Sequence, residues 1–247
     1  KLLQRKVFFT VHDGILHTGE KNFIMQFFTN YRMKYSDSLI YLTKYVKRLV
    51  EEEYKIIKSS YVVPLPIIEN NFINVKKNNE GSRNLLFLGR IDKYKGVEML
   101  MNSAVAISNE FDKLIIAGKS LYPIEYLKHE KIEIKDKYLS EEEIGELLSW
   151  ADVLILPYTE ATQSAVITLG IYAELPMICT NVGGFSEQLR EDESFWCEPN
   201  KEDLAFAIEE AFKNLEKYNN IKSRLMEKKN ELSWSAIAEQ IEHILLS

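Results

Sequence analysis

Two cations, Arg90 and Lys95, stand five residues apart in LGRIDKYKGVEML, between an apolar run and an amphipathic one. An arginine can fork two oxygens of a phosphate, and a lysine adds a mobile point charge. Gly89, just before them, allows close backbone approach at the end of a strand. A helix opening after Lys95 would turn its unpaired amides the same way, so the group suits a diphosphate. The alternative is a pair of solvated surface cations.

A second candidate is PYTEATQSAVITLGIYAELP, residues 157–176. Here a loop gives way to a helix, which would leave the amides of Gln163, Ser164 and Ala165 as unpaired donors. Thr162 or Ser164 could equally cap that helix, and capping and anion binding are compatible. A third is VHDGILH, with His12 just past a strand. A histidine there can act as an acid or base or orient a hydroxyl, or it can be an ordinary hydrogen-bonded structural histidine. His17 is less well placed, and His129 and His243 read as surface residues on helices.

Absences narrow the chemistry. The sequence has no GxGxxG after a strand, no GxxxxGK[ST], no HExxH and no CxxC. No Asp-x-Asp stands at a strand end to hold a divalent ion under a diphosphate. No metal is expected: Arg90, Lys95 and helix amides would neutralise the phosphate charge.

These residues need a scaffold. From residue 83 onward short apolar strands alternate with helices: NLLFLGR, then a helix at 95–110, DKLIIAG, a short helix PIEYLKHE, and KIEIKD. SEEEIGELLSWA opens with Ser140 and Glu143 in capping-box spacing. DVLILP, a helix from Gln163, MICT, FSEQLRE, SFWCE and two helices near 200–217 and 220–245 follow. Such alternation predicts a doubly wound parallel sheet, which binds ligands at the C-terminal ends of its strands. The loops after Phe87, Ile116, Ile134, Leu156 and Cys179 are therefore the ones that matter. Residues 1–64 form a smaller unit with too few strands for a complete open sheet, and 65–82, rich in Asn and carrying Pro66, read as a linker.

Composition fits a globular chain of 247 residues, 46% hydrophobic and 28% charged. The net charge of −6 argues against nucleic acid as the main partner. The charge is uneven, with 13 Lys and Arg against 8 Asp and Glu in residues 1–80. The helix FIMQFFTNYRMKY in that part could rest on anionic headgroups, or Phe23, Phe27 and Tyr31 could pack on the domain's own sheet. No apolar run approaches the roughly 20 residues of a membrane span. Cys179 and Cys197 lie in apolar runs and read as reduced core thiols of a cytoplasmic protein.

Taken together, LGRIDKYKGVEML, KLIIAG, YLSEEEIGELLSWADVLILPY and ATQSAVITLGIYAELPMICTNVGGFSEQL resemble the C-terminal domain of GT-B-fold retaining glycosyltransferases of family 4. VFFTVHDGILH and DSLIYLTKYV resemble the second half of that family's N-terminal domain, whose first part the chain lacks. The resemblance implies a nucleotide-sugar-binding domain over 83–230. It also implies a partial Rossmann-like, acceptor-side domain over 1–64, and a last helix, 231–247, packing back on it.

The resemblance also assigns roles. Gly89, Arg90 and Lys95, with the amides of Gln163, Ser164, Ala165 and Val166, match the groups that hold the donor diphosphate and sugar. Tyr138 and Leu139 match the loop at the nucleotide base, and His12 matches the histidine at the reaction centre. Many members carry two glutamates seven residues apart, and these positions fall here on Ala161 and Leu169. Glu160 is one residue away and is the candidate for the donor sugar. The sequence follows an ATQSGV-like variant, with Ala165 at the glycine.

The expected activity is sugar transfer, with retention, from a nucleotide diphosphate to a hydroxyl of a glycan or lipid-linked acceptor in surface polysaccharide biosynthesis. The nucleotide sugar is a substrate and no cofactor is implied. Peripheral contact with the inner face of a membrane is the further implied partner. The alternatives are a GT-B sugar-nucleotide epimerase or phosphorylase, and a non-catalytic nucleotide-sugar-binding protein.

Overall fold

The computed structural model describes residues 6–12, 23–74 and 81–246, which form two compact units. His17 lies outside the described residues. The first unit comprises residues 1–66 and 232–247, the second 67–231.

In the first unit, β1 (Phe8–Val11), β2 (Ser38–Tyr41) and β3 (Ser60–Val62) pair in parallel in that order. Helices α1 (Phe23–Tyr35) and α2 (Lys44–Tyr54) connect them. Alternation along β2 splits the core between two faces. Leu39 and Tyr41 pack with Val11, Met33, Val46 and Val50. Ile40 packs on the other face with Val63 and Ile237. Thr43 starts α2 by accepting a hydrogen bond from the Val46 amide at 3.1 Å. Phe27 and Tyr31 do not pack on the sheet. They are 65% and 53% exposed, and share the open side of α1 with Ile24, Phe28 and Tyr35.

The second unit carries a six-stranded parallel sheet. Its strands are β4 (Asn84–Leu88), β5 (Lys113–Ala117), β6 (Ile132–Lys135), β7 (Val153–Leu156), β8 (Met177–Thr180) and β9 (Phe195–Cys197). Their spatial order is β6-β5-β4-β7-β8-β9. Strand order thus reverses between β4 and β7, where Leu85 pairs with Val153. The helices are α3 (Val97–Ala106), α4 (Glu141–Trp150), α5 (Ala165–Tyr172), α6 (Phe185–Gln188), α7 (Lys201–Lys213) and α8 (Leu215–Glu231). All of β7 and β8 is buried, as strands covered on both faces must be.

Three details depart from the sequence reading. PIEYLKHE forms no helix between β5 and β6. An eight-residue helix gains too little to repay nucleation unless it buries a face, and here Leu127 stays exposed. Tyr126 anchors the segment by donating its hydroxyl to Asp136. His129 is accordingly not helical, and its Nδ1 accepts the Lys131 amide at 3.2 Å. The C-terminal stretch forms three helices, α7, α8 and α9 (Trp234–Leu246), because the chain breaks at Asn214 and again between Glu231 and Trp234.

Asp152, at the start of β7, fixes the entry to β4: its carboxylate accepts from Ser82 Oγ and from the Asn84 amide at 2.9 and 2.8 Å. Among the described residues no helix is long and apolar enough to cross a membrane.

Candidate functional site

Strand order reverses between β4 and β7, and open α/β sheets bind ligands at the C-terminal ends of strands at such a reversal. Two loops meet there: Gly89–Gly96 after β4, and Pro157–Ser164 after β7.

The first loop is held by its neighbours. Gly89 has φ +129° and donates its amide to the Ala117 carbonyl at 3.0 Å. Gly118, after β5, lies so close that a Cβ on it would meet the Gly89 oxygen at 1.8 Å. Asp92 accepts from the Lys93 amide at 2.8 Å and opens a 3-10 turn at Lys93–Lys95. Gly96 closes that turn with φ +68° and hands the chain to α3. A Cβ on Gly96 would lie 1.8 Å from the Pro157 oxygen, so the two loops touch backbone to backbone. Thr159 strengthens the seam by donating its amide to the Tyr94 carbonyl at 2.7 Å.

The Lys95 ammonium sits in this seam. Its Nζ lies 3.7 Å above the centre of the Tyr158 ring and 4.9 Å from that of Tyr94. Such a stack attracts a cation through the ring's negative face. Arg90 is exposed at the same strand end. It lies near enough to act on the Tyr158 phenol, which burial holds well above its ordinary value.

The second loop leads into α5. Gly89 faces its first turn, since a Cβ there would come 3.5 Å from Val166 Cγ2. The amides of Ala165 and Val166 open α5, beside Gly89 and on the seam side of the sheet. The Ser164 amide is not an unpaired donor: it binds Gln188 Oε1 at 2.7 Å, and Gln188 Nε2 returns a bond to the Ser164 carbonyl at 3.2 Å. Ser164 also makes no side-chain cap, and its hydroxyl lies 3.5 Å from that of Tyr158. Gln163 keeps a buried Oε1 with no hydrogen-bond partner. Glu160 is exposed beside Ala161 and Thr162, which are buried. Ala161 and Leu169, at the two positions where carboxylates could stand, are both packed inside.

The loop after β6 is built separately. Asp136 accepts from the Ser120 amide at 2.9 Å, from Lys119 at 3.2 Å and from the Tyr126 hydroxyl at 3.0 Å. These donors, the Ser120 amide foremost, hold its carboxyl down to about 2. They tie the exit of β6 to that of β5. Tyr138 then projects 76% exposed, with Leu139 half-buried beside it. Ser140 and Glu143 form the capping box that their spacing predicts. His12 is exposed at the end of β1 in the first unit. Among the described residues no group of three or more His, Cys, Asp or Glu side chains could hold a metal ion.

Sequence reasoning brings Gly89, Arg90, Lys95 and the start of α5 to one place, and misses what braces them. Tyr158 was readable only as a loop aromatic. Gln188 lies 24 residues from Ser164, and nothing local marks it. Gly118 had a signal, as a glycine ending a strand.

Comparison with known proteins fits this fold. Solved structures of similar fold include Anabaena Alr3699/HepE in complex with UDP and glucose, with TM-score 0.79, 14% identity, and coverage of 98% of this chain and 72% of that one. Sucrose-phosphate synthase from Thermosynechococcus elongatus matches with TM-score 0.75 and 16% identity, over 96% of this chain and 66% of that one. The fold is the α/β, parallel-sheet architecture of GT-B glycosyltransferase structures. Residues 82–214 match the family described as Glycosyl transferases group 1, and the chain belongs to that family. A curated relative, "Uncharacterized glycosyltransferase MJ1178" of Methanocaldococcus jannaschii, is 29% identical over 170 residues, 66% of this chain. The chain spans 45% of that relative's length.

Proposed function

We propose that this chain carries the donor site of a retaining glycosyltransferase that moves a sugar from a nucleoside diphosphate to an acceptor hydroxyl. The observation that carries the reading is the meeting of Arg90, Lys95, Gly89 and the first turn of α5 at the strand reversal. A similar fold holds UDP and glucose in Anabaena HepE, which supports a nucleotide sugar as the ligand.

In the reaction the bond between the sugar's anomeric carbon and the diphosphate oxygen breaks, and the electron pair leaves with the diphosphate. The acceptor oxygen bonds to the same carbon on the same face, and its proton passes to the departing phosphate oxygen. Negative charge grows on the diphosphate as the bond breaks. Arg90, Lys95 and the N-terminus of α5 meet that charge, so they stabilise the transition state more than the bound donor. These fixed charges do the work without a metal in this proposal.

In the same reading Gly89 and the Gln163–Val166 segment lie along the diphosphate, with contacts from Ala165 and Val166 amides rather than from the Ser164 amide. Tyr138 and Leu139 flank the base. Glu160 contacts the donor sugar, and His12 serves the reaction centre. The acceptor is a glycan or lipid-linked hydroxyl of a surface polysaccharide. The open aromatic side of α1, with Arg32 and Lys34 in its last turn, suits peripheral contact with anionic lipid on the cytoplasmic side.

A second reading, a binding protein without turnover, draws on one observation: Leu169 is buried and apolar where a carboxylate could hold ribose. A thermal-shift screen against UDP, GDP, ADP and their sugars tests the donor site. A ligand that binds the folded state raises its midpoint, and no stabiliser in the set would remove the proposal. Product formation from the stabilising nucleotide sugar separates the enzyme from the binding protein.

A further inference from the structure

Lysine side chains normally sample many rotamers, and fixing one at a binding site costs entropy that weakens the ligand's hold. Lys95 is different, because its ammonium is stacked on Tyr158 at 3.7 Å and flanked by Tyr94 at 4.9 Å. The two rings meet edge to face at 90°. Neither ring is free to swing. Tyr158 is 1% exposed, packs against Phe185 with centres 5.0 Å apart, and has its hydroxyl 3.5 Å from Ser164 Oγ. Tyr94 is 6% exposed, and its carbonyl takes the Thr159 amide.

We propose that Tyr158 is a positioning residue for a nucleoside diphosphate: the face of its ring holds the Lys95 ammonium where the β4 and β7 loops meet, so the ligand finds a cation already in place. The inference rests on the donor-site reading above and adds a role for an aromatic that touches no phosphate itself. Tyr158 also links the cation to the other half of the site, since the same side chain reaches Ser164 at the mouth of α5. One ring thereby sets both halves of the anion site in register.

The ring's electrons can be tested apart from its shape. In the full chain, Tyr158→Phe is followed by one, two and three fluorine atoms on the phenylalanine ring, which drain the negative face and leave the packing nearly unchanged. UDP, GDP and ADP, and the nucleoside of whichever binds tightest, are titrated by calorimetry. Diphosphate affinity is expected to fall stepwise, by about ten-fold over the series. The nucleoside is expected to show no trend, and the trend is expected to vanish in a Lys95→Met background. If the phenylalanine forms do not fold, fluorinated tyrosines, which keep the hydroxyl near Ser164, give the same readout. A flat series, or an equal slope without Lys95, overturns the role of Tyr158 while leaving the donor site standing. Failure of the unsubstituted chain to bind any of the three diphosphates overturns both.

Discussion

The α-carbon of Gly96 rests against the carbonyl of Pro157, so close that a Cβ at Gly96 would lie 1.8 Å from the Pro157 oxygen. This contact joins the loop carrying Arg90 and Lys95 to the loop that leads into α5. Gly96→Ala therefore introduces two penalties, a left-handed backbone at φ +68° and a clash with main chain that cannot rotate away. A loss of about 3 kcal/mol is expected, read as a lower denaturant midpoint at unchanged slope. Diphosphate affinity should fall with it, because the seam that seats Lys95 opens.

The sheet was legible because its strands are short, apolar and separated by helices, a pattern that only a covered parallel sheet satisfies. The places of the two loops followed from that topology, since Gly89 follows β4 directly and residues 157–164 run from the end of β7 into α5. The absent helix at PIEYLKHE shows the limit, since nothing in the eight residues reveals that Tyr126 is tethered to Asp136, just past the end of β6. The occupied Ser164 amide shows it again. Helix geometry says an amide there is unpaired, and only the tertiary position of Gln188 says otherwise. Long-range partners decide which donors remain for a ligand.

Asp136 gives a pH dependence with a definite sign. Its carboxyl is lowered from 3.8 to about 2, so the folded chain binds that proton less readily than the unfolded chain. Its contribution to stability is complete above the unfolded value and is lost as pH falls through the folded one. Asp136→Asn should thus be less stable than the parent at pH 6. The gap should close between about pH 4 and pH 2, checked by urea unfolding of both proteins across that range.

The buried ion pair between Lys228 and Glu193, 2.7 Å apart with side chains 7% and 1% exposed, pins α8 against the approach to β9. Glu193 also accepts the Arg190 amide at 2.7 Å and pairs with the Arg190 guanidinium at 3.2 Å, so removing the lysine leaves its charge partly compensated. Lys228→Ala is expected to cost about 3 kcal/mol, measured by chemical denaturation. The paired replacement Lys228→Met with Glu193→Leu should recover much of that loss, because no buried charge is then stranded.

Arg90 and Lys95 are proposed to hold a diphosphate at the strand reversal. The direct measurement is the affinity of the tightest of UDP, GDP and ADP for the parent chain, Arg90→Ala and Lys95→Ala, with the matching nucleoside as control. Each substitution is predicted to weaken the diphosphate by about ten-fold or more, the worth of one charge-assisted contact, while nucleoside binding stays level. Diphosphate affinities equal to the parent's in both variants would overturn this role for the two cations.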